Sequence, residues 1–120
     1  MPLVKKPIYV HEPTDLQCGQ AVIAMLSGKS VDEIIEIVGT DRETTLADMK
    51  NALQVCAIEF KNERIPFDKK EELPRVAMLS LETPRCWHWS LYFDGIFYDP
   101  EHGTLPELPK CNRRYYWEIK

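Results

Sequence analysis

The chain has 120 residues, 44% of them hydrophobic, and a formal net charge of −4. That length fits one domain around one core, and the acidic balance argues against a general nucleic-acid binder, which carries a basic excess. No apolar run is long enough to span a membrane. The two lysines of "MPLVKKPIYV" are followed by no apolar h-region, so no signal peptide is expected and the setting is read as cytosolic.

The front half reads helical. Thr14 or Asp15 is placed to cap a helix from about Leu16 to Ser27, with Gly28 as its C-terminal stop. "SVDEIIEIVG" gives a second helix, capped by Ser30 with Glu33 at the capping-box position and ended by Gly39. "TTLADMKNALQVC" gives a third, with Leu46, Met49, Leu53 and Cys56 on one stripe. The back half reads as strands. "AIEF" is a short one, and the charged, Pro-punctuated "KNERIPFDKKEELPR" is a surface loop. "RVAMLSL" is a strand, and "CWHWSLYF" and "IFYD" are two runs joined by Asp94-Gly95, a strong hairpin signal. "RRYYWEI" closes the chain as a last strand. Helices followed by an antiparallel sheet make an α+β layout.

The hairpin makes a geometric prediction. With a two-residue turn at Asp94-Gly95, Phe93 pairs with Ile96, Tyr92 with Phe97, Leu91 with Tyr98 and Ser90 with Asp99. Side chains on one strand alternate faces, so His88, Ser90 and Asp99 share a face. His88 and Asp99 are then diagonal neighbours, about 7 Å apart at the backbone. A different turn length would turn one of them away.

Four cysteines occur, Cys18, Cys56, Cys86 and Cys111, with no CxxC pair. Disulfides are not needed by a cytosolic chain. A zinc site from Cys86, His88, His102 and Cys111 is conceivable, but its spacing fits no standard zinc pattern, so no metal and no cofactor are expected.

"HEPTDLQCGQAVIAML" holds the most informative residues. A cysteine at a helix start has the unsatisfied N–H groups and the helix dipole in favour of its thiolate. An imidazole takes the thiol proton, and a carboxylate behind it fixes the ring. Cys18, His88 and Asp99 supply these three parts, and Gly19 beside the thiol lets a substrate approach closely. The same residues have plainer uses. Cys18, Val22, Met25 and Leu26 follow the spacing of a core stripe, His88 fits a hydrogen-bonded sheet histidine, and Asp99-Pro100 is a common turn pair.

"CGQAVIAMLSG" after a "PTD" lead-in, followed by "HWSLYFDGIFYDPEHG", resembles the papain-like cysteine peptidases, closest to the C39-like group. The resemblance covers about Ile8 to Gly103. It implies a helical layer carrying Cys18 as nucleophile against an antiparallel sheet carrying His88 as general base and then acid, and Asp99 to orient it. It implies hydrolysis of a peptide or related amide bond through a thioester, without a cofactor. The best-known members cut leader peptides after a double glycine and are fused to an exporter; this sequence carries none, so that substrate is not expected to carry over.

One position departs from the family. Six residues before the cysteine the family has a Gln whose amide donates to the oxyanion; here it is Glu12. An ionised carboxylate only accepts hydrogen bonds. Three alternatives follow: Glu12 is kept protonated by burial, Gln17 or Gln20 donates instead, or the chain is a weak or inactive relative. The function expected is thus a small cysteine hydrolase with a peptide or protein substrate, and no nucleic-acid or membrane partner. The alternative is a binding module on the same fold, for which Trp87, Trp89, Tyr115 and Trp117 would supply contact surface.

Overall fold

A computed structural model describes residues 5–120. The stretch read for a targeting signal begins in residues 1–4, which lie outside the described residues. The fold is α+β: three helices pack against a six-stranded antiparallel sheet of order β1-β6-β2-β3-β4-β5. Among the described residues no helix is long and apolar enough to cross a membrane.

The helices are α1 (Cys18–Ser27), α2 (Val31–Val38) and α3 (Leu46–Val55). Ser30 and Glu33 form the expected capping box on α2, and Thr45 with Asp48 forms another on α3. Gly28 and Gly39 end α1 and α2 at φ of 76° and 80°, a left-handed conformation that glycine takes without Cβ strain. The start of α1 differs from expectation. Its N-cap is Gln17, with no side-chain cap, while Thr14 Oγ1 accepts from Leu16 N at 3.3 Å to make a local turn instead. Thr14 and Asp15 therefore sit one turn too early to cap the helix.

The strands are β1 (Ile65–Pro66), β2 (Val76–Glu82), β3 (Trp87–Phe93), β4 (Ile96–Asp99), β5 (Gly103–Leu105) and β6 (Arg114–Glu118). The hairpin register is the one expected: Leu91, Tyr92 and Phe93 pair with Tyr98, Phe97 and Ile96. Asp94 and Gly95 have φ of 47° and 95°, as a type I′ turn demands. Two elements differ. "AIEF" is no strand: Ala57 takes a φ of 57° and Ile58 N donates back to Leu53 O, so the chain is still turning off α3, and only Phe60 bridges to Ile119. The strand β5 was not anticipated; it folds back on β4 through the Asp99–Gly103 turn. The charged segment before β2 is largely irregular, as expected, but contributes β1 and a single 3-10 turn at Lys70–Glu72.

Alternation divides the core in two. Leu91, Phe93, Met78 and Trp117 face the helices and pack with Val22, Ile23, Met49 and Leu53. Leu79, Leu81, Tyr92 and Phe97 face the other way, where Phe67, Leu73 and Leu108 cover them. Gly19 lies where α1, α3 and β3 converge. A Cβ there would overlap Thr44 Oγ1 and come within 2.9 Å of Met49 Sδ and 3.1 Å of Trp89 Cδ1. The glycine is therefore required by packing; the space beside it is taken by protein and is not open to a substrate as the sequence suggested.

Gly19→Ala is expected to destabilise the fold by about 2–3 kcal/mol through overpacking. Gly28→Ala, where nothing lies within 4 Å of the added Cβ, is expected to cost about 1–2 kcal/mol from backbone strain alone. Urea unfolding of the two variants measures the difference.

Candidate active site

Asp99 ends β4 and is fully buried. A buried carboxylate needs donors, and five groups supply them. His88 Nε2 lies 3.0 Å from Oδ1 and 3.1 Å from Oδ2, and Ser90 Oγ donates to Oδ2 at 3.0 Å. The Glu101 and His102 backbone N–H groups donate to Oδ1 at 3.0 and 3.1 Å, and His102 Nδ1 lies 3.0 Å from the same atom. The pairing of His88, Ser90 and Asp99 on one face is the one the two-residue turn predicts.

Cys18 opens α1 and meets the start of β3. Its Sγ accepts a hydrogen bond from Trp89 N, the residue after His88, at 3.4 Å. The thiol also helps to raise the pKa of the His88 ring. The imidazole is thus hydrogen-bonded to the Asp99 carboxylate and near enough to the Cys18 thiol to be influenced by it. Burial works against a charged ring, but the hydrogen bond to Asp99 and its negative charge, with Cys18 adding to them, outweigh it and hold His88 up at about 10. Burial likewise opposes the Asp99 anion. The His88 hydrogen bond and charge, with Glu101 N and Ser90, outweigh it and hold the carboxyl down at about 2. At neutral pH the pair is imidazolium and carboxylate.

The first turn of α1 adds to this. The first N–H groups of a helix have no intrahelical acceptor, and α1, alone among the three helices, has no side-chain cap over them. They lie beside Cys18, the first residue of the helix.

Glu12 is 5% exposed, and its Oε1 has no hydrogen-bond partner. Its backbone N donates to Pro100 O at 2.9 Å, which ties the segment before α1 to the turn after β4. Burial pushes the Glu12 carboxyl up and the Glu101 and Asp99 charges add to that, while His88 and His11 pull the other way. Of the proposed substitute donors, Gln20 has both amide N–H groups engaged and Gln17 has one. Gln17 Nε2 donates to Asp41 O at 2.9 Å, and Gln20 Nε2 to Thr40 O and Arg42 O at 3.0 and 2.8 Å. Both amides hold the loop between α2 and α3, which spends both donors of Gln20 and one of Gln17.

The sequence missed two residues of this network: Tyr9 OH donates to Asp99 O at 2.6 Å, and His102 binds the carboxylate. Ser90, which donates to it, was visible through the register. The conceivable zinc set does not assemble: among the described residues the ligand-sized cluster containing His88 is completed by Glu12 and Glu101, without Cys86 or Cys111.

A cavity of about 510 Å³ adjoins His88, walled by Trp87, Trp89, Tyr115 and Trp117, with Glu43 and Arg64 among its lining residues. Of the aromatic residues read as contact surface, Trp87 is 46% exposed and Trp117 is buried in the core. Trp89 and Tyr115 are half-buried. The chain matches no family model and no curated protein.

The two shifted groups fix the pH dependence of stability. A group raised from 6.5 to about 10 binds more protons when folded, so His88 stabilises fully below 6.5 and its contribution is lost as pH rises toward 10. Asp99, lowered from 3.8 to about 2, contributes above 3.8 and loses it as pH falls toward 2. Denaturant unfolding of the parent is expected to show both declines. In His88→Gln the alkaline decline should flatten; an unchanged alkaline slope would show that His88 does not carry it.

Proposed function

We propose that this chain is a cysteine hydrolase of the papain-like kind, closest to the C39-like group, acting on a peptide or related amide bond. The observation that supports this best is an imidazole hydrogen-bonded to a buried carboxylate and electrostatically coupled to a thiol at an uncapped helix N-terminus. In this reading Cys18 Sγ attacks the carbonyl carbon, and the carbonyl electrons move to oxygen. The N–H of Cys18 faces the developing oxyanion. The His88 imidazolium gives its proton to the leaving nitrogen, the C–N bond breaks, and a thioester remains on Cys18. Water then attacks the thioester carbon as His88 takes its proton; the C–S bond breaks, which releases the acid and restores the Cys18 thiolate beside the imidazolium. Asp99 keeps the ring in register throughout and stays ionised. The tryptophan-walled cavity beside His88 suits a large apolar side chain next to the scissile bond.

A second reading is favoured by Glu12. A carboxylate beside the oxyanion repels it, and loss of one donor costs about 100-fold or more in rate. The same cleft would then bind a peptide without cutting it. The raised Glu12 carboxyl bears on this, because its neutral acid form has a proton to donate.

The test is turnover of a peptide-amide library. Cys18→Ala is expected to lose activity by at least about 1,000-fold, and Glu12→Gln to raise kcat/KM by about tenfold or more above neutral pH. Undiminished turnover in Cys18→Ala would overturn the hydrolase proposal. A parent and a Glu12→Gln variant that bind library peptides and cleave none would establish the binding reading.

A further inference from the structure

The opposite end of α1 carries a second cavity, of about 570 Å³, remote in sequence from the Cys18 end of the helix. Its apolar lining comes from Val10, Ala24, Met25, Leu26 and Ile58. Ile8 also borders it and is 85% exposed, the most exposed large apolar side chain among the described residues. Four exposed lysines, Lys5, Lys6, Lys29 and Lys120, also line it, against a single acid, Glu59. None of these lysines is ion-paired within the described residues. The chain is acidic overall, at −4, so a rim of four free cations runs against the general charge.

We propose that this cavity binds a single-chain fatty carboxylate, with the alkyl chain against Met25, Leu26 and Ile58 and the headgroup among the lysines. The volume falls in the range of small-molecule sites, about 300–1,000 Å³. Burying a chain of methylenes is favourable by roughly 0.8 kcal/mol each, and ammonium groups at the mouth select an anionic end. This inference does not depend on the hydrolase proposal, because it concerns the other end of the helix.

Cys56 lines the same cavity and reports its occupancy, while the exposed Cys86 serves as reference. The probe is dodecanoate below its micelle concentration, with dodecyltrimethylammonium and dodecanol as controls of equal chain length. Alkylation of the two cysteines is followed by mass spectrometry, and binding by calorimetry. Dodecanoate is expected to bind one-to-one and slow Cys56 at least about fivefold while leaving Cys86 unchanged. Lys29→Glu with Lys120→Glu, both at exposed positions, should weaken binding at least about tenfold. Equal protection by all three amphiphiles, an unaltered affinity in the charge-reversed protein, or no binding of dodecanoate would each overturn the proposal. So would protection of Cys56 by an acidic peptide that dodecanoate does not reproduce.

Discussion

The Asp99 carboxylate is the constraint around which this structure is organised. It is fully removed from water, and removing a partner from such a charge costs about 3–5 kcal/mol. Its acceptor sites are filled from three directions: the start of β3 through His88 and Ser90, the following turn through Glu101 N, and His102 through both its backbone and its ring. The backbone of the same turn reaches further. Asp99 O accepts from Tyr9 and Pro100 O from Glu12, so the segment leading into α1 is docked on the end of β4. One buried charge thereby fixes the histidine and helps set where the helix bearing the cysteine begins.

The helical layer completes the arrangement from the other side. Gly19 admits Thr44, Met49 and Trp89 into close contact with the first turn of α1. Gln17 and Gln20 pin the loop between α2 and α3 through their amides. These contacts press α1 onto β3, and Trp89 N meets the Cys18 sulfur as a result. The uncapped helix end is the local exception among three helices, and it coincides with the thiol. An unmet capping preference at that point is what a site for developing negative charge requires.

The face shared by His88, Ser90 and Asp99 was legible in the sequence because strand alternation is strict and Asp94-Gly95 fixes the turn at two residues. The caps of α2 and α3 were legible because Ser30, Glu33 and Thr45 act over three residues of chain. The meaning of Gly19 was not, because the atoms that exclude a side chain there come from Thr44, Met49 and Trp89, distant in sequence. For the same reason Gln17 and Gln20 looked available as donors when they are committed to Thr40, Asp41 and Arg42. "AIEF" failed as a strand because its first residue is in the turn leaving α3, which a short apolar run does not reveal. Glu12 stands between these cases: its position before Cys18 is in the sequence, but its burial without a partner is a property of the fold.

The central claim is that Cys18 and His88 act as one chemical unit. The most direct measurement is the rate of iodoacetamide alkylation at Cys18 at pH 6, in the parent and in His88→Gln, with exposed Cys86 as the reference. Cys18, though half-buried, is expected to react faster than Cys86 and to lose at least about tenfold of its rate without the imidazole. A Cys18 slower than Cys86, or one whose rate is unaltered in His88→Gln, would contradict it.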